Sequence, residues 1–254
     1  FRHSMLQHCR LQEYDFIDGI IHSPQNFVLC LGRFVPSVPY TSDYSWLNIY
    51  YKSTLNRSED YLKTDDYCFR YDTECHWLSR TVPFLEFKWF RLFTGQRFLG
   101  STNLIRWSMY LNKLPNLKKR PDVVCDVFIP LRNFEHFFEW YQKVFDFYPL
   151  WLVPAKLLNP YPWLTESKRT AFTDEFVIDC AVYGKSNNEL AVDYSKLLED
   201  KTDELGGIKT LISRNHFTPE HFWRIFNFEN YNQVKQQVDP QGRFPELYTK
   251  FCTA

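Results

Sequence analysis

Arg70 and Asp72 are the two residues whose types and spacing point most directly to chemistry in this sequence. They flank Tyr71 within a region rich in tyrosine and tryptophan, and in an extended segment residues two apart lie on the same face. A guanidinium paired with a carboxylate in an aromatic pocket could orient a substrate or poise a neighbouring group. A purely structural ion pair has the same spacing, so both interpretations stay open.

The segment Tyr148-Pro149-Leu150-Trp151 is a second candidate. It lies at the start of a predicted strand, where aromatic side chains could line a cavity for an apolar ligand. Packing in the core is the more frequent use of such residues. The segment therefore supports a pocket wall or a core contact.

The histidines and cysteines do not form a recognisable metal site. His216 and His221 straddle a predicted helix start and so do not share a helical face, while His76 adjoins Cys75 and Glu74 in positions that point in different directions. The seven cysteines are odd in number, widely spaced and without a CxxC pair. We predict reduced thiols and no metal.

Phosphate-binding and nucleophile motifs are missing from the sequence. Gly206-Gly207 is the one glycine pair, and it follows a predicted helix where a nucleotide loop would precede one. With 30 basic and 30 acidic residues, no overall charge attracts nucleic acid or an anionic membrane. The basic run Lys118-Lys119-Arg120 is predicted to be a solvated loop. We predict no nucleic-acid partner and no independent dinucleotide binding.

The composition is that of a globular unit with a large core. Of the 254 residues, 44% are hydrophobic and 19% aromatic, enough apolar material for one substantial domain. No apolar stretch reaches the length needed to span a bilayer, and no signal peptide is evident. The sequence opens at Phe1 within a stretch that already looks structured, so we expect a fragment whose beginning lies upstream.

The hydrophobic pattern predicts one α+β domain over residues 1–254, with a mostly antiparallel sheet covered by helices. Residues 16–21 and 27–31 are predicted to form a hairpin, and further strands are predicted at 123–129, 150–153, 176–183 and 208–212. Helices are predicted at 134–145, at 188–205 before the glycine pair, after an N-cap at Thr218, and at 245–251. No linker divides the chain.

Several segments, in this order and spacing, resemble the C-terminal half of the Δ24-sterol reductase family, the diminuto/dwarf proteins, within the vanillyl-alcohol-oxidase-like flavoproteins. The resemblance covers nearly the whole chain. It is carried by Tyr67-Cys68-Phe69-Arg70-Tyr71-Asp72, Val123-Val124-Cys125-Asp126-Val127, Phe147-Tyr148-Pro149-Leu150-Trp151, Ile178-Asp179-Cys180-Ala181-Val182-Tyr183-Gly184, His221-Phe222-Trp223 and Phe244-Pro245-Glu246-Leu247-Tyr248.

This resemblance implies that an N-terminal domain, absent here, holds FAD and that this chain caps the isoalloxazine and the substrate cavity. It implies that NADPH reduces the flavin, which passes hydride to a sterol side-chain double bond at carbon 24. Arg70 and Asp72 then become catalytic candidates, and Asp126, Tyr148 and Trp151 become substrate-pocket candidates. Family members are commonly attached to the endoplasmic reticulum through an N-terminal segment that this chain does not include, and the protein is expected to be intracellular.

The chain also departs from the family pattern. Tyr71 and Thr73 stand where the family usually has a histidine and a second arginine, and Cys125 stands where a glutamine is common. These departures favour a second hypothesis, a non-catalytic module that binds a sterol, another apolar ligand or a partner. In either case the isolated chain is not expected to be an enzyme.

Overall fold

Six antiparallel strands form the central sheet, in a computed structural model that describes residues 1–81, 84–111, 120–159, 161–172 and 176–253. Along the sheet the strands run in the order β2-β1-β4-β5-β3-β6, and every neighbouring pair is antiparallel. Their bounds are β1 Phe16–Ser23, β2 Asn26–Gly32, β3 Val123–Pro130, β4 Leu150–Ala155, β5 Val177–Lys185 and β6 Ile208–Lys209. The predicted α+β class with an antiparallel sheet is confirmed.

Helices connect and cover the strands. Those in the described ranges are α1 Arg2–Leu11, α2 Tyr50–Ser53, α3 Thr64–Cys68, α4 Lys88–Phe98, α5 Ser101–Leu111, α6 Phe134–Trp140, α7 Glu166–Ala171, α8 Tyr194–Glu204, α9 Pro219–Ile225, α10 Phe228–Val238 and α11 Leu247–Cys252. A π-helical turn, Tyr141–Phe145, continues α6, and short 3-10 segments include Asp72–Glu74 and Leu78–Thr81. The predicted helix over 134–145 is thus confirmed, with a wider final turn.

The first face of the sheet carries the main hydrophobic core. Alternate residues of β3, such as Val127 and Ile129, are fully buried there against α6 and its π turn, which contribute Phe137 and Phe145. Burying a side chain of this size stabilises the fold by roughly 1.5–3 kcal/mol. This period-2 alternation fixes which residues of each strand are left to point to the opposite face.

The second face is divided between two apolar groups. At one end lies an aromatic cluster, comprising Tyr50, Tyr51, Tyr71, Trp77, Trp151 and Tyr183. At the other end, Phe128, Ala155 and Val177 pack with the C-terminal helices, chiefly through Phe222 and Phe226. Asp126 and Asp179 belong to neither group and lie between them on the same face.

The helix predicted over 188–205 begins later, at Tyr194. Asp193 is its N-cap, because its side chain accepts hydrogen bonds from the Ser195 and Lys196 backbone N–H groups. Arg120 secures the stretch before the cap by donating to the Glu189 and Val192 carbonyls, each at 2.9 Å. The loop predicted at Lys118-Lys119-Arg120 lies outside the described residues except for Arg120, whose guanidinium is bound within the fold.

Strand β6 is shorter than the predicted 208–212. Thr210 ends the ladder because its hydroxyl oxygen, in place of a backbone carbonyl, accepts from the Asp126 N–H at 3.3 Å. The backbone N–H of Thr210 donates to the Asp126 carbonyl at 2.9 Å. This arrangement attaches the loop after β6 directly to the strand that carries Asp126.

The backbone of Gly207 packs closely against β3. A Cβ there would stand 2.6 Å from the Phe128 carbonyl oxygen and 3.0 Å from that of Thr202. Because both atoms are backbone, Gly207→Ala is expected to lower the free energy of unfolding by about 1–3 kcal/mol, measured by urea denaturation. The nearby surface change Glu204→Ala should alter it by less than about 0.5 kcal/mol; equal effects would contradict the close approach.

Candidate functional site

The candidate site is built around a carboxylate pair, Asp126 on β3 and Asp179 on β5. Asp126 is opposite Ala181, and Asp179 is opposite Phe128, so the two acids are diagonal neighbours on the second face. Diagonal positions of an antiparallel pair lie about 7–8 Å apart. Strand alternation and the register of β3 with β5 therefore bring the two carboxyl groups close enough to interact electrostatically.

The environments of the two acids differ. Burial, together with the neighbouring charge of Asp126, raises the pKa of Asp179 to about 7. Burial also raises the pKa of Asp126, but the Tyr183 hydroxyl donates to its Oδ1 at 2.9 Å and opposes that rise. Within the described part of the chain Asp179 Oδ1 is buried without a hydrogen-bond partner. The pair thus consists of an acid that accepts a hydrogen bond from Tyr183 and an acid that ionises only near neutral pH.

Aromatic rings border the pair on one side. The His76 ring stacks on Tyr183, with ring centroids 4.8 Å apart, and lies 5.8 Å from the Trp151 ring. Burial and the charge of Arg70 both lower the pKa of His76, which favours a neutral imidazole. His76 also has a positive φ of 52°, unusual for a residue with a side chain, as do its two neighbours. Fully buried Trp77 holds this turn against the sheet.

Trp151 is held in place by a buried ion pair. Its indole Nε1 donates to Asp18 Oδ2 at 2.7 Å, and Arg70 Nη2 lies 3.6 Å from the same oxygen. The Arg70 guanidinium also lies over three tyrosine rings, the nearest being Tyr67 at 4.0 Å. Arg70 therefore contacts the aromatic cluster both through Asp18 and through the rings of Tyr50 and Tyr71.

The structure does not join Arg70 to Asp72. Helix α3 and the turn after it replace the predicted extended segment, so the two side chains diverge. Asp72 instead accepts from the Ser101 backbone N–H at 3.2 Å and from the Ser101 hydroxyl. The interpretation of the two residues as one ion pair is wrong, because the carboxylate beside Arg70 is Asp18.

Tyr148 also lies apart from the other candidates. It packs on the first face, edge-on to Tyr141, and burial raises the pKa of its phenol to about 12. The structure thus places Asp126 and Trp151 on the second face, where Asp18 links Arg70 to Trp151. Asp72 and Tyr148 lie elsewhere. Whether any of these five residues acts on a substrate stays a prediction.

Asp179 is the site residue that spacing arguments missed. Its signal was present in β5, where positions 177, 179, 181 and 183 share one face and only position 179 carries an acid. An acid inside an otherwise apolar strand has to be paired, protonated or functional.

An apolar cavity of about 630 Å³ lies at the end of the second face that carries Phe128 and Val177. Phe128, Ala155 and Val177 form its floor on the sheet, and α10 closes it with Tyr231 and Val234. Because Phe128 and Val177 each stand two residues from one of the acids, the floor of the cavity ends next to the carboxylate pair on the same face of the sheet. The carboxylate pair therefore lies at the boundary between an apolar cavity and an aromatic cluster.

The two distal histidines each contact another side chain of the fold. His216 lies 3.3 Å from the Ser195 hydroxyl, and His221 lies 3.0 Å from Asp203. Among the residues that the structure describes, no group of three His, Cys, Asp or Glu side chains is placed to hold a metal ion, and none of the seven cysteines is part of a disulfide.

The described helices are all too short or too polar to cross a membrane.

Fold and site together define an α+β domain whose sheet carries a half-buried acidic pair between an apolar cavity and an aromatic cluster. Such a domain is suited to covering an apolar ligand.

Comparison with known proteins agrees with the resemblance in the sequence. The chain is 25% identical to the Delta(24)-sterol reductases of Macaca fascicularis and Homo sapiens over 256 residues, covering 96% of the chain and 49% of each relative. It is 22% identical to that of Arabidopsis thaliana over 274 residues, covering 93% of the chain and 47% of the relative. The predicted resemblance to this family is confirmed, and it extends over nearly the whole chain.

The chain spans about half the length of the curated relatives it matches, consistent with the predicted C-terminal half. No protein-family model matches the sequence. No solved structure matches it either.

Proposed function

We propose that this chain is the substrate-covering, C-terminal half of a FAD-dependent, NADPH-using sterol reductase. In this proposal residues 1–254 form one cap domain of the vanillyl-alcohol-oxidase-like type, and the main FAD site lies in a domain outside the chain. The reaction is reduction of the carbon 24 double bond of a sterol side chain. The observation that carries the proposal is similarity to sterol reductases over nearly the whole chain.

The second face of the sheet fits a flat flavin ring. Trp151, His76 and Tyr183 present aromatic surface there, and Asp179 Oδ1 is a buried acceptor without a partner among the residues described. A bound flavin would supply the hydride that NADPH delivers to it. The contribution of this chain is to exclude water, hold the alkene and fix the surrounding charges.

The apolar cavity provides the sterol site in this proposal. Its volume of about 630 Å³ lies within the range of about 300–1,000 Å³ typical of small-molecule pockets. Phe128 and Val177 keep the floor apolar up to the carboxylate pair, so a sterol bound there can place one end beside those acids. Arg70 and Asp18 orient Trp151 at the other border.

The direct test is a coupled assay on a flavin-loaded protein that contains this chain. We expect NADPH to reduce the flavin and a sterol with a carbon 24 double bond to reoxidise it. The intact mass of the native product is the accompanying measurement, and a mass well above 30.7 kDa is expected. In cells the whole protein is proposed to be attached to the endoplasmic reticulum by a segment outside this chain.

A non-catalytic module that binds an apolar ligand or a partner is the alternative. Tyr71 and Thr73, which depart from the family pattern, and a cavity built wholly from this chain both favour it. Stoichiometric sterol binding without any NADPH-dependent reduction would select this alternative. A native mass near 30.7 kDa would select it as well.

Val234→Trp is expected to weaken sterol binding by at least about tenfold, or about 1.4 kcal/mol, because the indole would occupy the cavity that Val234 lines. Titration of the chain with a fluorescent sterol measures the change. Val238→Trp is the matched control, since Val238 lies on the same helix and is 74% exposed. Equal affinity of both variants would place the sterol elsewhere.

A further inference from the structure

Asp179 is an acid on the second face with one carboxyl oxygen unpaired in the described part of the chain. It stands on β5, between Val177 in the cavity floor and Ala181, and Oδ1 has no hydrogen-bond partner in the described ranges. A buried acceptor left without a donor is unfavourable unless the carboxyl is protonated or a ligand completes its contacts. The position therefore calls for an occupant or for a retained proton.

Asp179 stands between a buried residue and the cavity floor. In the sheet register Asp126, Ala181 and Trp151 form one row across β3, β5 and β4, and Ala181 in the middle of that row is fully buried. On the other side, Asp179 is two residues from Val177, which lines the apolar cavity and lies on the same face of β5. A ligand that extends from the cavity along this face would therefore meet the Asp179 carboxyl group first.

The charged neighbours set which acid holds the proton. Asp126 on β3 is the charge that acts on Asp179, and it is itself stabilised as a carboxylate by the Tyr183 hydroxyl. The Arg70 guanidinium is directed to Asp18, and the Lys209 ammonium is 3.8 Å from Glu199 and 2.6 Å from Asn215 Oδ1. Two adjacent carboxylates repel each other, so the proton stays on the acid without a donor.

We propose that the Asp179 carboxyl is the proton donor of the reduction. This inference rests on the proposed function, because reducing a carbon–carbon double bond requires a proton as well as a hydride. The electron pair of the π bond takes the Asp179 proton at one carbon, and the hydride, supplied from NADPH by way of the flavin, bonds to the other. Asp179 is left as a carboxylate beside Asp126 and regains a proton from water.

Asp179→Asn tests the role in the flavin-loaded protein, because the amide keeps the shape of the side chain but has no acidic proton. Single-turnover kinetics should show unchanged reduction of the flavin by NADPH and reoxidation by sterol slowed about 10²–10⁴-fold. In the unmodified protein the reoxidation rate should fall as the pH rises above about 7, where Asp179 loses its proton. Asp200→Asn, on the exposed side of α8, should change neither step.

A second readout needs no flavin. Carbon-13 NMR of carboxyl-labelled aspartate in this chain should show a carboxyl signal that is still protonated at pH 6 and is removed by Asp179→Asn. Normal reoxidation in the Asn variant, or an Asp179 already ionised at pH 5, would overturn the donor role alone. An unmodified protein that is never reoxidised by sterol would overturn the proposed function and the donor role with it.

Discussion

Arg70→Ala is expected to lower the free energy of unfolding by about 3–5 kcal/mol, the range found when one partner of a buried ion pair is removed. The side chains of Arg70 and Asp18 are only 10% and 6% exposed, and Arg70 Nη2 lies 3.6 Å from Asp18 Oδ2. Alanine would leave the Asp18 carboxylate buried without its cation and would remove the stacking on Tyr67. Urea denaturation at pH 7 measures the loss.

The loss should be smaller at low pH. Burial already raises the pKa of Asp18, while Arg70 opposes that rise. Without Arg70 the acid can be neutralised by a proton, so the destabilisation should shrink as the pH falls.

Arg57→Ala is the matched control for this prediction. The Arg57 side chain is 47% exposed and lies 3.0 Å from Asp60, and exposed pairs of this kind contribute about 0–1 kcal/mol. Asp18→Asn combined with Arg70→Ala should recover part of the loss, because no uncompensated charge then remains. A loss in Arg70→Ala no larger than that in Arg57→Ala would contradict the buried pair and leave a direct role of Arg70 in the pocket as the better hypothesis.

The sheet could be predicted from sequence because its information is local. Alternation in residues 123–129 and 176–183 predicted the strands. The same alternation places Asp126 on the second face of the sheet, because its neighbour Val127 points into the core on the first face. Turn residues between β1 and β2 gave the hairpin, and Thr218 gave the start of α9, where its hydroxyl accepts from the His221 N–H. Each of these features depends on neighbours in the chain.

The partners across the site could not be predicted in the same way. Arg70 finds Asp18 and not Asp72, because β1 and the turn after α3 meet only in the folded chain. An extended conformation for residues 70–72 was the wrong assumption, since the backbone there turns from α3 into a 3-10 segment. The cavity likewise depends on how α10 lies over β3 and β5, which periodicity within α10 does not specify.

Stability is expected to fall as the pH rises from about 5 to 8, with Glu74 as a main cause. Glu74 is fully buried, and neither of its carboxyl oxygens has a hydrogen-bond partner among the residues described. Burial raises its pKa to about 8, against the opposing charge of Arg91. The unfolded chain loses this proton near pH 4.3, so between these pH values the folded state binds more protons and ΔG of unfolding decreases with pH.

Glu74→Gln should flatten this pH dependence and stabilise the protein at pH 8, because the amide does not ionise on burial. A pKa difference of three to four units between the folded and unfolded chain corresponds to at most about 4–5 kcal/mol of stability. We therefore expect Glu74→Gln to raise the free energy of unfolding by about 2 kcal/mol at pH 8 and to change it little at pH 5. Urea denaturation at the two pH values measures the change.

Glu189→Gln, a substitution at an exposed position, should leave the pH dependence of stability unaltered. Part of the slope should survive in Glu74→Gln, since Asp179 ionises near pH 7 in the same sense. An unchanged slope would mean that Glu74 is already ionised in the folded protein and paired with Arg91.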